Sequence, residues 1–167
     1  MSHSEHRAQA PLSIGCYGLT VSDTRTEQTD TSGQALRELL TADGHRLTGY
    51  DIVRDEPAEV ASLVRARIDD PATEVILTTG GTGVTSRDGT YEAIAELLDK
   101  RLDGFGELFR MLSYEEIGAA AMMSRATAGT ASGTAIFVMP GSQHAVKLAM
   151  TRLILPEMGH VVQQVRR

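Results

Sequence analysis

Short apolar runs alternate with amphipathic stretches along this chain, and that alternation limits its fold more than any other feature. "LSIGCYGLTV" (residues 12–21) reads as a strand; "SGQALRELLTADGH" reads as a helix with Ala35, Leu36, Leu39 and Leu40 on one face, closed near Gly44. "RLTGYDIV" is a second strand, and "PAEVASLVRARIDD" a second helix that starts near Pro57, a residue suited to a first helical turn. "EVILTT" (74–79) is continuously apolar, as in strands buried on both faces. The pattern then predicts a helix over "TYEAIAELLDK", two helical segments across 105–123, the strand "TAIFVM", and a closing helix from Gln143 to about Leu155, ahead of Pro156. "GTASGT" (129–134) reads as a turn into that last strand. Repeated strand–helix alternation specifies an α/β three-layer sandwich with a mostly parallel sheet.

A length of 167 residues suits one domain, expected over 12–167, with residues 1–11 a disordered polar tail. That tail lacks the apolar centre of a signal peptide and no later run is long enough to span a bilayer, so the expected location is the cytoplasm. A net charge of -6 argues against nucleic acid or an anionic membrane as partner, and 4% aromatic residues leave little for base stacking. Cys16 is the only cysteine and lies in an apolar run, so it reads as a buried structural thiol. His3 and His6 fall in the tail, and His45, His144 and His160 show no zinc-site spacing.

In open parallel sheets, ligands sit beyond the carboxyl ends of the strands. The segments in that place are "SDTRTEQTD" (22–30), "RDEP" (54–57), "GGTGVTSRD" (80–88) and "PGS" (140–142), which can face one crevice. Gly80, Gly81 and Gly83 allow a tight turn whose amides approach an anion, and Thr78, Thr79 and Thr82 add hydroxyls. No lysine follows, so this is not a Walker loop, and "GGTGVTS" is not a dinucleotide fingerprint. The plainer reading is a strand-to-helix connection that needs glycine only for its backbone angles. Asp88 and Asp55 each precede a helix and singly read as caps. Together, beside a phosphate cradle, they suit a hard cation such as Mg²⁺. The remaining acidic residues of 23–30 read as a solvated loop.

"LTVSDTRTEQTDTSGQAL", "DIVRDEP", "LTTGGTGVTSRDGTYEAI", "GFGELFRMLS", "MMSRATAG", "VMPGS" and "LILPEMGH" resemble, in order and over 12–160, the molybdenum cofactor biosynthesis protein B family (MoaB/MogA), whose fold also forms the G domain of gephyrin. "TSRD" and "LILPEMGH" look more like the MoaB branch. The resemblance implies a molybdopterin-binding fold and, in active members, Mg²⁺-dependent transfer of AMP from ATP to the molybdopterin phosphate. By motif it implies Asp55 and Asp88 as catalytic or metal-binding carboxylates. It implies Thr79, Gly80, Gly81, Thr82, Gly83 and Ser86 along the substrate pocket, with Ser22, Asp23, Pro140, Gly141 and Ser142 adding contacts and Glu107 and Ser113 at its border. Arg87, Arg125 and Lys147 are candidate cations for the phosphates, each also readable as a solvated surface charge.

Three positions depart from the family pattern: Gly89 in place of a β-branched residue, which suggests a looser backbone after Asp88, and Asp103 and Gln143 in place of prolines. The family forms trimers and some MoaB-branch members hexamers, and the small, apolar "AAAMM" segment suits a subunit contact. Partners implied are molybdopterin, ATP and other proteins of the pathway. The alternative is a non-catalytic molybdopterin carrier. A more distant option is the pyrophosphatase-like domain of competence-damage-inducible proteins, which carry a further domain.

Overall fold

The computed structural model describes residues 13–167. The tail expected over 1–11, with His3 and His6, and Leu12 of the first strand lie outside them. The elements are β1 (Gly15–Val21), α1 (Thr31–Ala42), β2 (Arg46–Val53), α2 (Pro57–Ile68), β3 (Val75–Thr79), α3 (Thr90–Ala95), β4 (Lys100–Arg101) and α4 (Asp103–Ile117). A 3-10 helix (Gly118–Met123), β5 (Thr127–Ala131), β6 (Thr134–Met139), α5 (Gln143–Ala149), a π turn (Met150–Ile154) and α6 (Leu155–Val165) complete the chain. The sheet order is β2-β1-β3-β6-β5-β4. Its first four strands are parallel, and β5 and β4 add an antiparallel edge.

The alternation of side chains along the strands makes this three layers. In β3, Val75 and Leu77 point to the face covered by α1, α4, α5 and α6, where Leu36, Phe109, Val146 and Met158 are buried with them. Ile76 points to the other face, against Val60 and Val64 of α2 and Ile94 of α3. Each such side chain taken out of water stabilises the fold by roughly 1.5–3 kcal/mol. Cys16 is fully buried within the first of these faces, and burial pushes its thiol pKa up to about 12. That matches a structural thiol with little thiolate at neutral pH. Among the described residues no helix is long and apolar enough to cross a membrane.

Three local readings need correction. "GTASGT" is mostly strand: β5 and β6 form a hairpin whose two-residue turn, Ser132 (φ 47) and Gly133 (φ 84), has both residues left-handed. Its small residues admit β4, for a Cβ at Gly129 would lie 2.4 Å from the Lys100 carbonyl. The helix from Thr90 stops at Ala95, because Lys100 and Arg101 turn outward to pair with β5. The last helix does not stop before Pro156. A wide π turn precedes it and Pro156 falls in the first turn of α6, where its missing N–H is tolerated.

Candidate functional site

The chain leaves β1 for β2 on one side and returns to β3 on the other, so the sheet order switches at β1, the place where ligands enter such folds. A crevice of about 560 Å³ opens there. Ser22, Thr24 and Arg25 line it from the loop after β1, Gly80, Gly81, Thr82, Gly83 and Asp88 from the loop after β3, and Pro140 and Gly141 from the loop after β6. Met123 and Ser124, at the end of the 3-10 helix, complete it.

Glycine is required in the turn for reasons of space as well as angle. Gly80 (φ +97) would bring a Cβ to 2.1 Å from the Val21 carbonyl, and Gly81 (φ +68) to 2.1 Å from Thr90 Oγ1. The Gly80 amide donates to the Met139 carbonyl at 3.0 Å, whereas the Gly81 and Thr82 amides make no hydrogen bond to a described residue. The Thr82 and Gly83 carbonyls are held from behind by Arg125, through Nε at 3.0 Å and Nη2 at 2.6 Å. Thr79 stands behind the turn, its hydroxyl donated to the Pro140 carbonyl at 2.9 Å, and Thr78 is buried in the sheet. Thr78 and Thr79 therefore offer no hydroxyl at the crevice, which Gly81 and Thr82 line.

The two aspartates flank this turn, and neither caps the helix that follows it. Asp88 accepts from the Thr85 hydroxyl at 2.6 Å and amide at 2.9 Å, which closes the loop and holds its pKa below the usual carboxylate value. Asp55, 6% exposed, accepts from the Gly89 amide at 3.2 Å and the Thr90 hydroxyl at 3.3 Å, tying the loop after β2 to α3. Burial raises its pKa and outweighs those two bonds; the charges of Asp88 and Asp23 push the same way. No Lys or Arg among the described residues pairs with Asp55. Asp23 accepts from the Asp55 amide at 3.1 Å and from Arg87 at 3.0 Å, and Arg87 holds its pKa down.

The other expected residues divide. Glu107 lines an adjoining hollow of about 420 Å³ with Arg101, Arg110 and Arg125. Ser113 and Ser142 line a smaller one of about 160 Å³, and Ser142 also caps α5 by accepting from the Ala145 amide at 3.1 Å. Ser86 is exposed at the loop tip and lines none of these hollows. Among the candidate cations, Arg87 is engaged by Asp23 and Glu56, Arg125 by Glu92 and the turn carbonyls, and Lys147 is exposed outside the crevice. Gly89 is not loose: its amide is bound to Asp55 and a Cβ there would meet Pro57 Cγ at 2.7 Å. The loop 23–30 is not simply solvated either, since Asp30 is buried and caps α1 through the Gly33 amide.

Arg25 and Ser124 were missed. Ser124 lines all three hollows, and Arg25 is the one cationic side chain among the described residues that line the crevice. The available signal for Arg25 was its place after a parallel strand. Among the described residues no group of three or more His, Cys, Asp or Glu is placed to hold a metal. Two carboxylates, one of them buried without a cationic partner among the described residues, could hold Mg²⁺ only if it took its other ligands from water and phosphate oxygens.

The sequence matches the family described as "Probable molybdopterin binding domain" over residues 18–160. It is 52% identical over 168 residues to Molybdenum cofactor biosynthesis protein B of Bacillus cereus, covering 100% of this chain and 99% of that relative. A crystal structure of a Molybdenum cofactor biosynthesis protein B superposes with a TM-score of 0.91 at 52% identity, over 95% of this chain and 99% of that one. The tungsten cofactor synthesizing protein MoaB from Pyrococcus furiosus gives 0.85 at 38% identity, over 95% and 100%.

Proposed function

Because the chain belongs to the molybdenum cofactor biosynthesis protein B family, we propose that it transfers AMP from ATP to the phosphate of molybdopterin, giving adenylyl-molybdopterin and pyrophosphate. The observation that carries this reading is the crevice itself. It sets two amides that have no hydrogen-bond partner among the described residues, Gly81 and Thr82, beside the Asp88 carboxylate at the switch point of the sheet. A phosphate oxygen of molybdopterin attacks the α-phosphorus of ATP, a new P–O bond forms, and the bond to the β-phosphate oxygen breaks. No protein nucleophile is needed, so the chain's task is to align two anions and answer their charge.

In this reading, the Gly81 and Thr82 amides donate to a phosphate oxygen, with the turn held in shape by Arg125 at their carbonyls. Asp88 and Asp55 would hold Mg²⁺, which would supply neutralisation of the developing pyrophosphate charge. Asp23 and Arg87 hold the loops after β1, β2 and β3 together around them. The apolar side chains exposed on α4 and the 3-10 helix, Leu108, Met111, Tyr114, Ile117, Met122 and Met123, support a homo-oligomer, trimeric or hexameric, with its contact beside the crevice.

The test is to combine purified protein with molybdopterin, ATP and Mg²⁺ and follow adenylyl-molybdopterin and pyrophosphate. Asp88→Asn should lower the rate by roughly 100-fold or more while the fold persists. Full activity in that variant sinks the mechanism. Bound molybdopterin without product in the wild type identifies a carrier instead.

A further inference from the structure

We propose that Arg25 is the side chain that grips the substrate phosphate in the crevice, a role that rests on the reading of the crevice as a phosphate site. Arg25 sits on the loop after β1. Its Nη1 donates to Ser32 Oγ at 2.5 Å and lies 3.5 Å from Asp30 Oδ1. Both partners are fixed: Asp30 is buried and bound to the Gly33 amide at 3.0 Å, and Ser32 is buried and donates its hydroxyl to the Gly141 carbonyl at 2.6 Å. The arm is thus tied to the start of α1 and, through Ser32, to the loop after β6. The loop after β6 borders the crevice, as does the loop after β1 that carries Arg25 itself, so little side-chain freedom remains to be lost on binding.

The competing explanation is that Arg25 serves only to neutralise buried Asp30. Its geometry argues otherwise. A guanidinium placed for that purpose meets both carboxylate oxygens with two parallel N–H bonds. Here a single nitrogen approaches Oδ1, and Asp30 Oδ2 is buried with no hydrogen-bond partner among the described residues. Arg25 Nε and Nη2 make no hydrogen bond to any described residue, so the remaining N–H groups of the fork are unspent on a residue that lines the crevice. Arg87 and Arg125, by contrast, are bound within the protein. Arg25 and Asp88 are the two charged side chains among the described residues of the lining, so a phosphate is drawn toward Arg25 and its cation toward Asp88.

The shared chemistry is a phosphate group, carried by either ATP or molybdopterin. Calorimetric titration with Mg-ATP and fluorescence titration with molybdopterin, on wild type, Arg25→Ala and Arg25→Lys, separate the two. Arg25→Ala should weaken at least one ligand roughly 10- to 100-fold, the range for a charge-assisted bond, and flatten the salt dependence of its binding. Arg25→Lys, which keeps the charge but not the fork, should fall between. If the alanine variant melts lower, the lysine variant carries the test. Loss for ATP alone assigns Arg25 to the nucleotide; loss for molybdopterin alone assigns it to the pterin phosphate. Affinities within twofold of wild type for both ligands overturn the proposal, as does a wild type that binds neither. Wild-type protein that binds through Arg25 yet forms no product removes the adenylyl-transfer reading and leaves this one standing.

Discussion

The two ends of the sheet treat a buried carboxylate in opposite ways. At the amino ends of the strands, Glu74 is 8% exposed and fully answered: it accepts from the Gly15 amide at 2.7 Å and faces Arg166 at 2.7 Å and Arg46 at 3.5 Å. At the carboxyl ends, Asp55 is 6% exposed, without a cationic partner among the described residues, and its pKa is raised. One end spends its polar groups on the fold, joining β3 to β1 and to the chain's last residues. The other leaves a carboxylate without a cation, two amides without an acceptor among the described residues and an arginine fork bound only through Nη1, and it is there that a ligand would gain most by binding.

The comparison breaks most readily at the turn. Gly81→Ala forces a Cβ into Thr90 and Asp55 at a positive φ, and should cost roughly 3 kcal/mol in urea unfolding, together with phosphate binding. A variant that folds and binds like wild type shows that the turn is merely a connection. Next, Glu74→Gln removes a buried charge from two arginines and should cost about 2 kcal/mol, with ligand affinity unchanged. If affinity falls with stability, the two ends are coupled rather than independent.

The smallest effect is the most diagnostic. Asp55 has a raised pKa, so its favourable contribution is present below the unfolded carboxylate pKa and is lost as pH rises through the folded value. Asp88 has a lowered pKa, so its contribution is present above the unfolded value and is lost as pH falls through the folded one. Asp55→Asn should therefore be no less stable than wild type at neutral pH. Asp88→Asn should be less stable there, with the gap closing in acid. Unfolding free energies across the acidic range check this, and shifts of the same sign in both variants refute the assignment.

Most of the architecture was legible because its strands are apolar and its helices amphipathic. β1, β2, β3 and β6 and the helices after β1 and β2 sit where periodicity places them. The edge was not, because β4 is two residues long and β5 is built of small residues that read as a turn. Pro156 reads as a stop unless one knows that a π turn precedes it. At the site, loop position alone marked the Gly80–Gly81 turn and both aspartates. Which amides stay unpaired, and which arginines are consumed by carbonyls and carboxylates, depends on contacts between residues far apart in sequence.

The place of β6 has a consequence for the chain while it is being made. β6 lies between β3 and β5, and β4 reaches the sheet only through β5. When Thr79 has left the ribosome, β1 and β2 are complete, yet β3, buried on both faces in the finished protein, has an open flank until Thr134–Met139 follow. Through that interval the nascent chain presents an apolar edge strand, the kind of surface that pairs wrongly with other chains. The crevice shares the delay, since Pro140 and Gly141 arrive with the strand that covers that edge.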